Sequence, residues 1–119
     1  MIHGSCLCGS IKYEINGEIE SIGKCDCADC KKMTGSEFSA NALIKHENFR
    51  LIEGEDNVAV YRVSDDVSKT FCSRCGSNLQ YIINERPGII GVALGTLDED
   101  IRGVYDISIT PKTMQAHNN

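Results

Sequence analysis

The stretch from Gly4 to Ile15 reads GSCLCGSIKYEI. It opens with Cys6 and Cys8, a Cys-x-Cys pair. It closes over residues 11–15 with apolar and polar residues in strict alternation, which is the period of a half-buried β-strand. A pair of metal-binding residues that leads directly into a strand is typical of a small β domain held together by a metal ion.

The same alternation recurs along the rest of the chain and predicts further strands at Phe38–Ile44, Val58–Val63, Leu79–Ile83 and Val104–Ile109. The continuous apolar run Ile89–Leu94 predicts another strand. Residues 84–88, which include Pro-Gly, predict a hairpin turn between two of these strands. Helix signals are confined to Cys27–Thr34, stopped by Gly35, and to a turn at Asp98–Ile101. We therefore expect a mainly β fold of roughly seven or eight short strands.

The chain has 119 residues, which predicts a single domain. We place that domain at residues 1–110 and expect residues 111–119 to form a polar tail. Only 6% of the residues are aromatic and there is no Trp, so the core is expected to be thin. A structural metal ion would compensate for that lack of core volume.

The formal net charge is −5, which argues against nucleic acid or an anionic membrane surface as a partner. No apolar run approaches the roughly 18 residues of a membrane span, and residues 1–9 lack the apolar segment of a secretory signal. We therefore expect a cytoplasmic protein whose thiols stay reduced. Pairing of edge strands would allow a homodimer, although nothing in the sequence requires one.

Seven cysteines are the most informative feature of the composition. They form three groups: the pair Cys6 and Cys8, the triad Cys25, Cys27 and Cys30, and the pair Cys72 and Cys75. Because seven is odd, a disulfide framework cannot use them all, and clustered cytosolic cysteines more often bind metal or perform chemistry.

The favoured partition combines the two pairs into one closed four-sulfur site and leaves the triad as an open three-sulfur site. A structural zinc ion prefers four tetrahedral ligands, whereas a catalytic zinc ion keeps three protein ligands and one open position. The alternative joins the triad to one cysteine of a pair and leaves the other three cysteines without a metal. In the favoured partition, cations next to the cysteines in sequence, Lys31 among them, would donate to sulfur or hold an anionic ligand near the open site.

Four segments resemble one known family: Gly4–Tyr13, Cys25–Gly35, Phe71–Leu79 and Gly95–Asp98. They are similar to its Cys-x-Cys-Gly opening, its Cys-His-Cys-x-x-Cys-Arg-Lys segment, its Phe-Cys-x-x-Cys-Gly motif and its Gly-Ser/Thr-Leu-Asp motif. The family is that of the glutathione-dependent formaldehyde-activating enzymes (GFA), also called the centromere protein V domain. The resemblance extends over nearly the whole chain.

The resemblance implies a β-tent fold of stacked antiparallel sheets and two zinc ions per chain. The implied structural zinc ligands are Cys6, Cys8, Cys72 and Cys75. The implied ligands of a second, exchangeable zinc ion are Cys25, Cys27 and Cys30.

The activity implied by the resemblance is that of a carbon–sulfur lyase, as in S-(hydroxymethyl)glutathione synthase, with glutathione and formaldehyde as partners. The thiol would be the fourth ligand of the triad zinc, and Lys31 would stabilise the alkoxide that forms on the aldehyde. The sequence departs from the family at Asp26, where His is common, and at residues 106–109, which lack the family's late motif.

Two other functions fit the same cysteines. In one, both zinc ions are structural and the protein is a binding module whose surface recognises a partner. In the other, the triad forms a disulfide when metal is lost, which would make the protein a thiol redox or metal sensor.

Overall fold

The computed structural model describes residues 1–101, which fold into nine strands, one α-helix and three short 3-10 helices. The strands are β1 (Ile2–Ser5), β2 (Lys12–Ile15), β3 (Ser21–Cys25), β4 (Ser39–Lys45), β5 (Phe49–Glu53), β6 (Val58–Arg62), β7 (Val67–Cys72), β8 (Asn78–Ile83) and β9 (Ile89–Ala93). The α-helix is α1 (Ala28–Thr34), and the 3-10 helices are His46–Asn48, Glu55–Asn57 and Leu94–Thr96. The predicted mainly β class is confirmed.

The strands form two antiparallel sheets. The small sheet has the order β1-β2-β5, and the large sheet has the order β3-β4-β9-β8-β7-β6. The hairpin predicted between β8 and β9 is confirmed, because Gln80 pairs with Val92 and Ile82 pairs with Ile90. The chain passes from one sheet to the other at the connections β2–β3, β4–β5 and β5–β6.

The core lies between the two sheets, as the alternation in β2 predicts. Tyr13 and Ile15 of the small sheet are fully buried, as are Ala42, Ile44 and Val92 of the large sheet. All five belong to one apolar cluster. The large sheet therefore directs one face inward, and its opposite face is available for other contacts.

This opposite face, which we call the outer face, carries α1. A row of cross-strand neighbours runs over this face from β7 to β4: Lys69, Tyr81, Gly91 and Leu43. Lys69 Nζ donates to the carbonyl oxygen of Met33 at 3.3 Å and so ties the helix to the sheet. The helix and the outer face together hold the triad.

The short helix predicted at Cys27–Thr34 is confirmed as α1. The Cys27 sulfur caps its first turn by accepting from the N–H of Cys30 at 3.4 Å. Gly35 ends it in the left-handed conformation, with φ of 67°, and its N–H donates to the carbonyl oxygen of Lys31. The helix is therefore fixed at both ends by the residues that flank the triad.

The turn predicted at Asp98–Ile101 is wrong, because residues 98–101 are not helical. Asp98 is instead held against β1: its N–H donates to the carbonyl oxygen of His3 and its carboxylate accepts from Ser5 Oγ at 2.7 Å. These long-range bonds replace the local bonds of a helix. The strand predicted at Val104–Ile109 and the tail at residues 111–119 lie outside the described residues.

Candidate metal centres

The two cysteine pairs come together in a four-cysteine cluster, made of Cys6, Cys8, Cys72 and Cys75. All four sulfurs lie within 4.8 Å of one another. The first pair follows β1 of the small sheet, whereas Cys72 ends β7 of the large sheet. The cluster thus joins the two sheets.

Two serines that the sequence analysis did not single out surround this cluster. Ser10 Oγ lies 3.1 Å from the Cys8 sulfur and 3.6 Å from the Cys72 sulfur, and Ser77 Oγ lies 3.3 Å from the Cys75 sulfur. A signal for them was present, because each pair is followed by Gly and then Ser. Both glycines adopt positive φ angles, which turns the chain so that the serine returns to the sulfurs.

Hydrogen bonds favour the thiolate at two members of the four-cysteine cluster, Cys75 and Cys6. The hydroxyl of Ser77, helped by the Ser77 N–H, lowers the pKa of Cys75 to about 5. Burial acts to raise the pKa of Cys6, but the N–H of Ile11 and the hydroxyl of Ser10 outweigh it, so that this pKa is also lowered. Sulfurs that receive several hydrogen bonds are suited to bind a cation.

The triad forms a second, separate cluster. Cys25 ends β3, Cys27 caps α1 and Cys30 lies within the helix, and their sulfurs are within 4.8 Å of one another. All three residues are buried, and Met33 packs against them. All seven cysteines are free thiols. The structure therefore groups them in the partition that the sequence favoured.

The ionisation of the triad is uneven. Burial raises the pKa of Cys25 and raises the pKa of Cys30 far above the usual range for a thiol. Burial also opposes ionisation of Cys27, but hydrogen bonds from the Cys30 N–H and from the two neighbouring thiols lower its pKa. The protein alone thus favours one thiolate here, and a bound cation would favour more.

The donor sets fit metal ions. A tetrahedral zinc ion with bonds of about 2.3 Å to sulfur separates its ligands by about 3.8 Å. In the four-cysteine cluster the Cys6 and Cys8 sulfurs are 3.6 Å apart, and the Cys8 and Cys72 sulfurs are 3.9 Å apart. Both clusters could therefore hold a metal ion, one with four sulfur donors and the other with three.

The two other residues singled out near the triad lie at its margin. Asp26 is half-buried, and its carboxylate does not belong to the cluster that the sulfurs of the triad form. Lys31 is exposed on α1 and is not among the residues that line the cavities beside the triad. The catalytic role of Lys31 stays a prediction.

Three adjacent cavities lie along the outer face. One of about 90 Å³ is lined by Cys25 and Cys30 and is the direct approach to the triad. A larger one of about 600 Å³ lies on the other side of Met33, and a small one of about 50 Å³ lies between them. Among the residues that the structure describes, the buried triad is thus reached from the outer face of the large sheet.

Comparison with known proteins agrees with these features. The family model of the glutathione-dependent formaldehyde-activating enzymes matches residues 1–114. The chain belongs to this family. A GFA relative from Halomonas elongata, provisionally named a glutathione-dependent formaldehyde-activating enzyme, is 23% identical over 107 residues. The match covers 85% of this chain and 68% of that protein.

The fold is shared with a solved structure. A Rhodobacter sphaeroides protein of known crystal structure has a TM-score of 0.71 to this GFA chain, with 22% sequence identity. The match covers 86% of this chain and 94% of that one. In residues 1–101 no helix is long and apolar enough to cross a bilayer.

Proposed function

We propose that this GFA protein is a zinc-dependent enzyme, similar to carbon–sulfur lyases, that acts on a thiol adduct such as S-(hydroxymethyl)glutathione. In the direction of synthesis, the thiol sulfur bonds to the carbonyl carbon and the π bond of the carbonyl opens. The thiol proton ends on the new hydroxyl oxygen, so that thiol and aldehyde combine without loss of atoms. The reverse reaction breaks the same C–S bond.

The observation that carries this proposal is the contrast between the two clusters. The four-cysteine cluster has all the donors that a tetrahedral site needs, whereas the triad has three. The cavity of about 90 Å³ reaches two sulfurs of the triad, so a ligand from solvent has a path to it. What a bound zinc ion would supply at the triad is one exchangeable position and a lowered pKa for the thiol that occupies it.

The chain's own residues prepare the site. Burial of the three triad cysteines limits the approach from solvent to the cavity lined by Cys25 and Cys30. The cap of Cys27 on α1 fixes two of the sulfurs relative to each other. Lys69 holds α1 on the sheet, so that the third sulfur, at the end of β3, stays within reach.

The substrates and the compartment are part of the proposal. Glutathione and formaldehyde are the thiol and aldehyde that the family name specifies. The cytoplasm is the compartment in which seven free thiols persist.

Exchange spectroscopy by NMR tests the activity, with ¹³C-formaldehyde and glutathione at equilibrium with their adduct. We expect the exchange rate to rise in proportion to the protein concentration above the uncatalysed rate, and Cys25→Ser to abolish that increase. Arg62→Gln is the matched control, because Arg62 lies on the edge strand β6 and pairs with the fully exposed Asp65. Zinc-loaded protein that leaves the exchange rate unchanged would contradict the proposal.

The same assay tests Lys31. If its ammonium stabilises the developing alkoxide, Lys31→Met should slow the catalysed exchange by about tenfold or more. An unchanged rate in Lys31→Met would remove Lys31 from the mechanism and leave the triad proposal intact.

A further inference from the structure

The two sheets end in four edge strands, and three of these strands are protected against pairing with another strand. Leu97 covers β1 through a bridge to Gly4. The strand β3 contains Lys24, and β5 contains Arg50 and Glu53. Natural proteins protect exposed sheet edges with covering segments and charged side chains of this kind. Among the described strands, the remaining edge is β6, at the end of the large sheet.

The middle of β6 is apolar and faces solvent. Its three central residues, Ala59, Val60 and Tyr61, are uncharged, and the strand contains neither Lys nor Pro. Val60 is 66% exposed and Tyr61 is 58% exposed. An exposed apolar edge strand without these protective residues is suited to pair with a further strand.

The register of β6 on β7 shows which backbone groups of β6 point away from the sheet. Bonds at the two ends of the paired stretch join the N–H of Ser73 to the carbonyl oxygen of Asn57, and the N–H of Val63 to that of Val67. In an antiparallel pair, bonded positions alternate with positions whose N–H and C=O point away from the neighbouring strand. The odd-numbered residues of β6 therefore bond to β7, and the even-numbered residues point outward.

One of the outward groups is already used within the chain. The N–H of Val58 donates to the carbonyl oxygen of Glu55 in the preceding 3-10 helix. The carbonyl oxygen of Val58 and the backbone groups of Val60 and Arg62 are directed away from β7. These groups are the donors and acceptors that a further strand would bond.

We propose that two copies of this chain associate through β6, antiparallel and with Val60 of one copy opposite Val60 of the other, so that the two large sheets become continuous. In this register each Val60 N–H donates to the carbonyl oxygen of the other Val60. Each Arg62 N–H donates to the carbonyl oxygen of the other Val58. The inference is independent of the proposed function, because Cys25 of the triad belongs to β3, at the opposite edge of the large sheet.

The side chains favour this register over its neighbours. Ala59 of one copy lies opposite Tyr61 of the other, so that a small side chain leaves room for a ring. Arg62 approaches the acidic 3-10 helix Glu55–Asn57 of the other copy. A shift in one direction would bring the two Arg62 side chains together on one face, where like charges repel. A shift in the other direction would place Val60 opposite Val58, whose N–H is already bonded.

Pairing of this kind would extend the largest cavity of the outer face. Tyr61 and Phe71 line that cavity, and Ala59 is the cross-strand neighbour of Phe71. Tyr61 of the second copy would lie opposite Ala59, so its ring would continue the apolar wall that begins at Phe71. The second copy would thus contribute a side chain to the cavity of the first.

The expected association is weak and stops at two chains. Each copy contributes one strand of five residues, and an interface of that size falls below the roughly 1,200 Å² of stable complexes. We therefore expect half of the chains to be paired at about 100 µM. The large-sheet edge that stays exposed in such a dimer is β3, which Lys24 protects.

Sedimentation equilibrium of the reduced, zinc-loaded full-length protein, from about 10 µM to about 1 mM, tests the proposal. We expect a monomer–dimer equilibrium in the wild type. Val60→Glu and Val60→Lys should each stay monomeric, because the two-fold axis places like charges opposite each other. An equimolar mixture of the two variants should dimerise, since opposite charges then face each other. Ile52→Glu should dimerise as the wild type does; it is the matched control, an exposed apolar residue on the edge strand β5.

Amide hydrogen exchange in the wild type tests the same register if a Val60 variant does not fold. Protection of the Val60 and Arg62 amides should rise with protein concentration, whereas that of the Val63 amide, bonded to Val67 within the chain, should not. Three results would overturn the proposal: a wild type that stays monomeric to about 1 mM, a dimer that survives both Val60 variants, or variants that remain monomeric when mixed.

Discussion

Substitution of Cys6 and Cys8 together tests whether the four-cysteine cluster cross-links the chain, because it leaves only Cys72 and Cys75 in the cluster. Cys8 and Cys72 are 64 residues apart in sequence, and their sulfurs are 3.9 Å apart. A cross-link across a loop of that length stabilises a protein by about 4 kcal/mol in the chain-entropy model. The triad spans only Cys25 to Cys30, and loop-length scaling makes a cross-link there about 2 kcal/mol less stabilising.

We therefore expect Cys6→Ala/Cys8→Ala to lower the free energy of unfolding by about 4 kcal/mol, and by about 2 kcal/mol more than Cys25→Ala/Cys27→Ala does. Each double variant leaves its cluster too few sulfurs to hold the ion. Cys25 and Cys27 are both buried, whereas of the other pair only Cys6 is buried. The greater loss of packing in the triad variant opposes the expected difference, which makes the comparison conservative. A loss of about 4 kcal/mol is a large part of the stability of a domain of this size.

Urea unfolding followed by circular dichroism, with excess zinc and a reducing agent, measures both variants. With a slope of about 2 kcal/mol per molar urea, Cys6→Ala/Cys8→Ala should shift the midpoint by about 2 M. The reasoning is refuted if Cys25→Ala/Cys27→Ala is destabilised as much as Cys6→Ala/Cys8→Ala, or if removing metal with a chelator leaves the wild-type midpoint unchanged.

Two further predictions concern positions away from the cysteines. Gly4→Ala should lower the melting temperature strongly, because its Cβ would overlap the ring of the buried Tyr13; Gly95→Ala, with open space around its Cβ, should not. Similar melting temperatures for the two variants would contradict this packing. The N–H of His3 donates to the Glu99 carboxylate at 2.8 Å and lowers the pKa of Glu99. This contact stabilises the fold above the ordinary carboxyl pKa, and the stabilisation is lost as the pH falls through the lowered value. The difference in urea midpoint between wild type and Glu99→Gln should therefore shrink from about pH 6 to about pH 3, and a constant difference would contradict this.

The cysteine grouping could be predicted from sequence because metal-ligand motifs are local. The spacing of Cys6 to Cys8 and of Cys72 to Cys75 makes each pair converge within one turn of chain. Counting donors then separates a set of four from a set of three, and the structure groups the sulfurs in this way. Strands such as β2 were predictable for a similar reason, since the apolar and polar residues of β2 alternate strictly, although Glu14 on the polar face is itself buried beside Arg50.

Other features depend on contacts between distant segments and leave little trace in local sequence. The strand β3 contains Gly and Lys and has no clear alternation, because it lies at an edge of the large sheet. Arg86 and Cys25 line the same cavity because of the order of the strands, although they are 61 residues apart in sequence. The failed prediction at residues 98–101 has the same origin, since the bonds of Asp98 go to β1 rather than to its neighbours.

The central claim is that the triad holds a second, exchangeable metal ion. Native mass spectrometry on protein purified under reducing conditions without chelator, together with a count of titratable thiols, tests it most directly. We predict two zinc ions per chain in the wild type and one in Cys27→Ala. One zinc ion in both proteins, with three titratable thiols in the wild type, would contradict the claim.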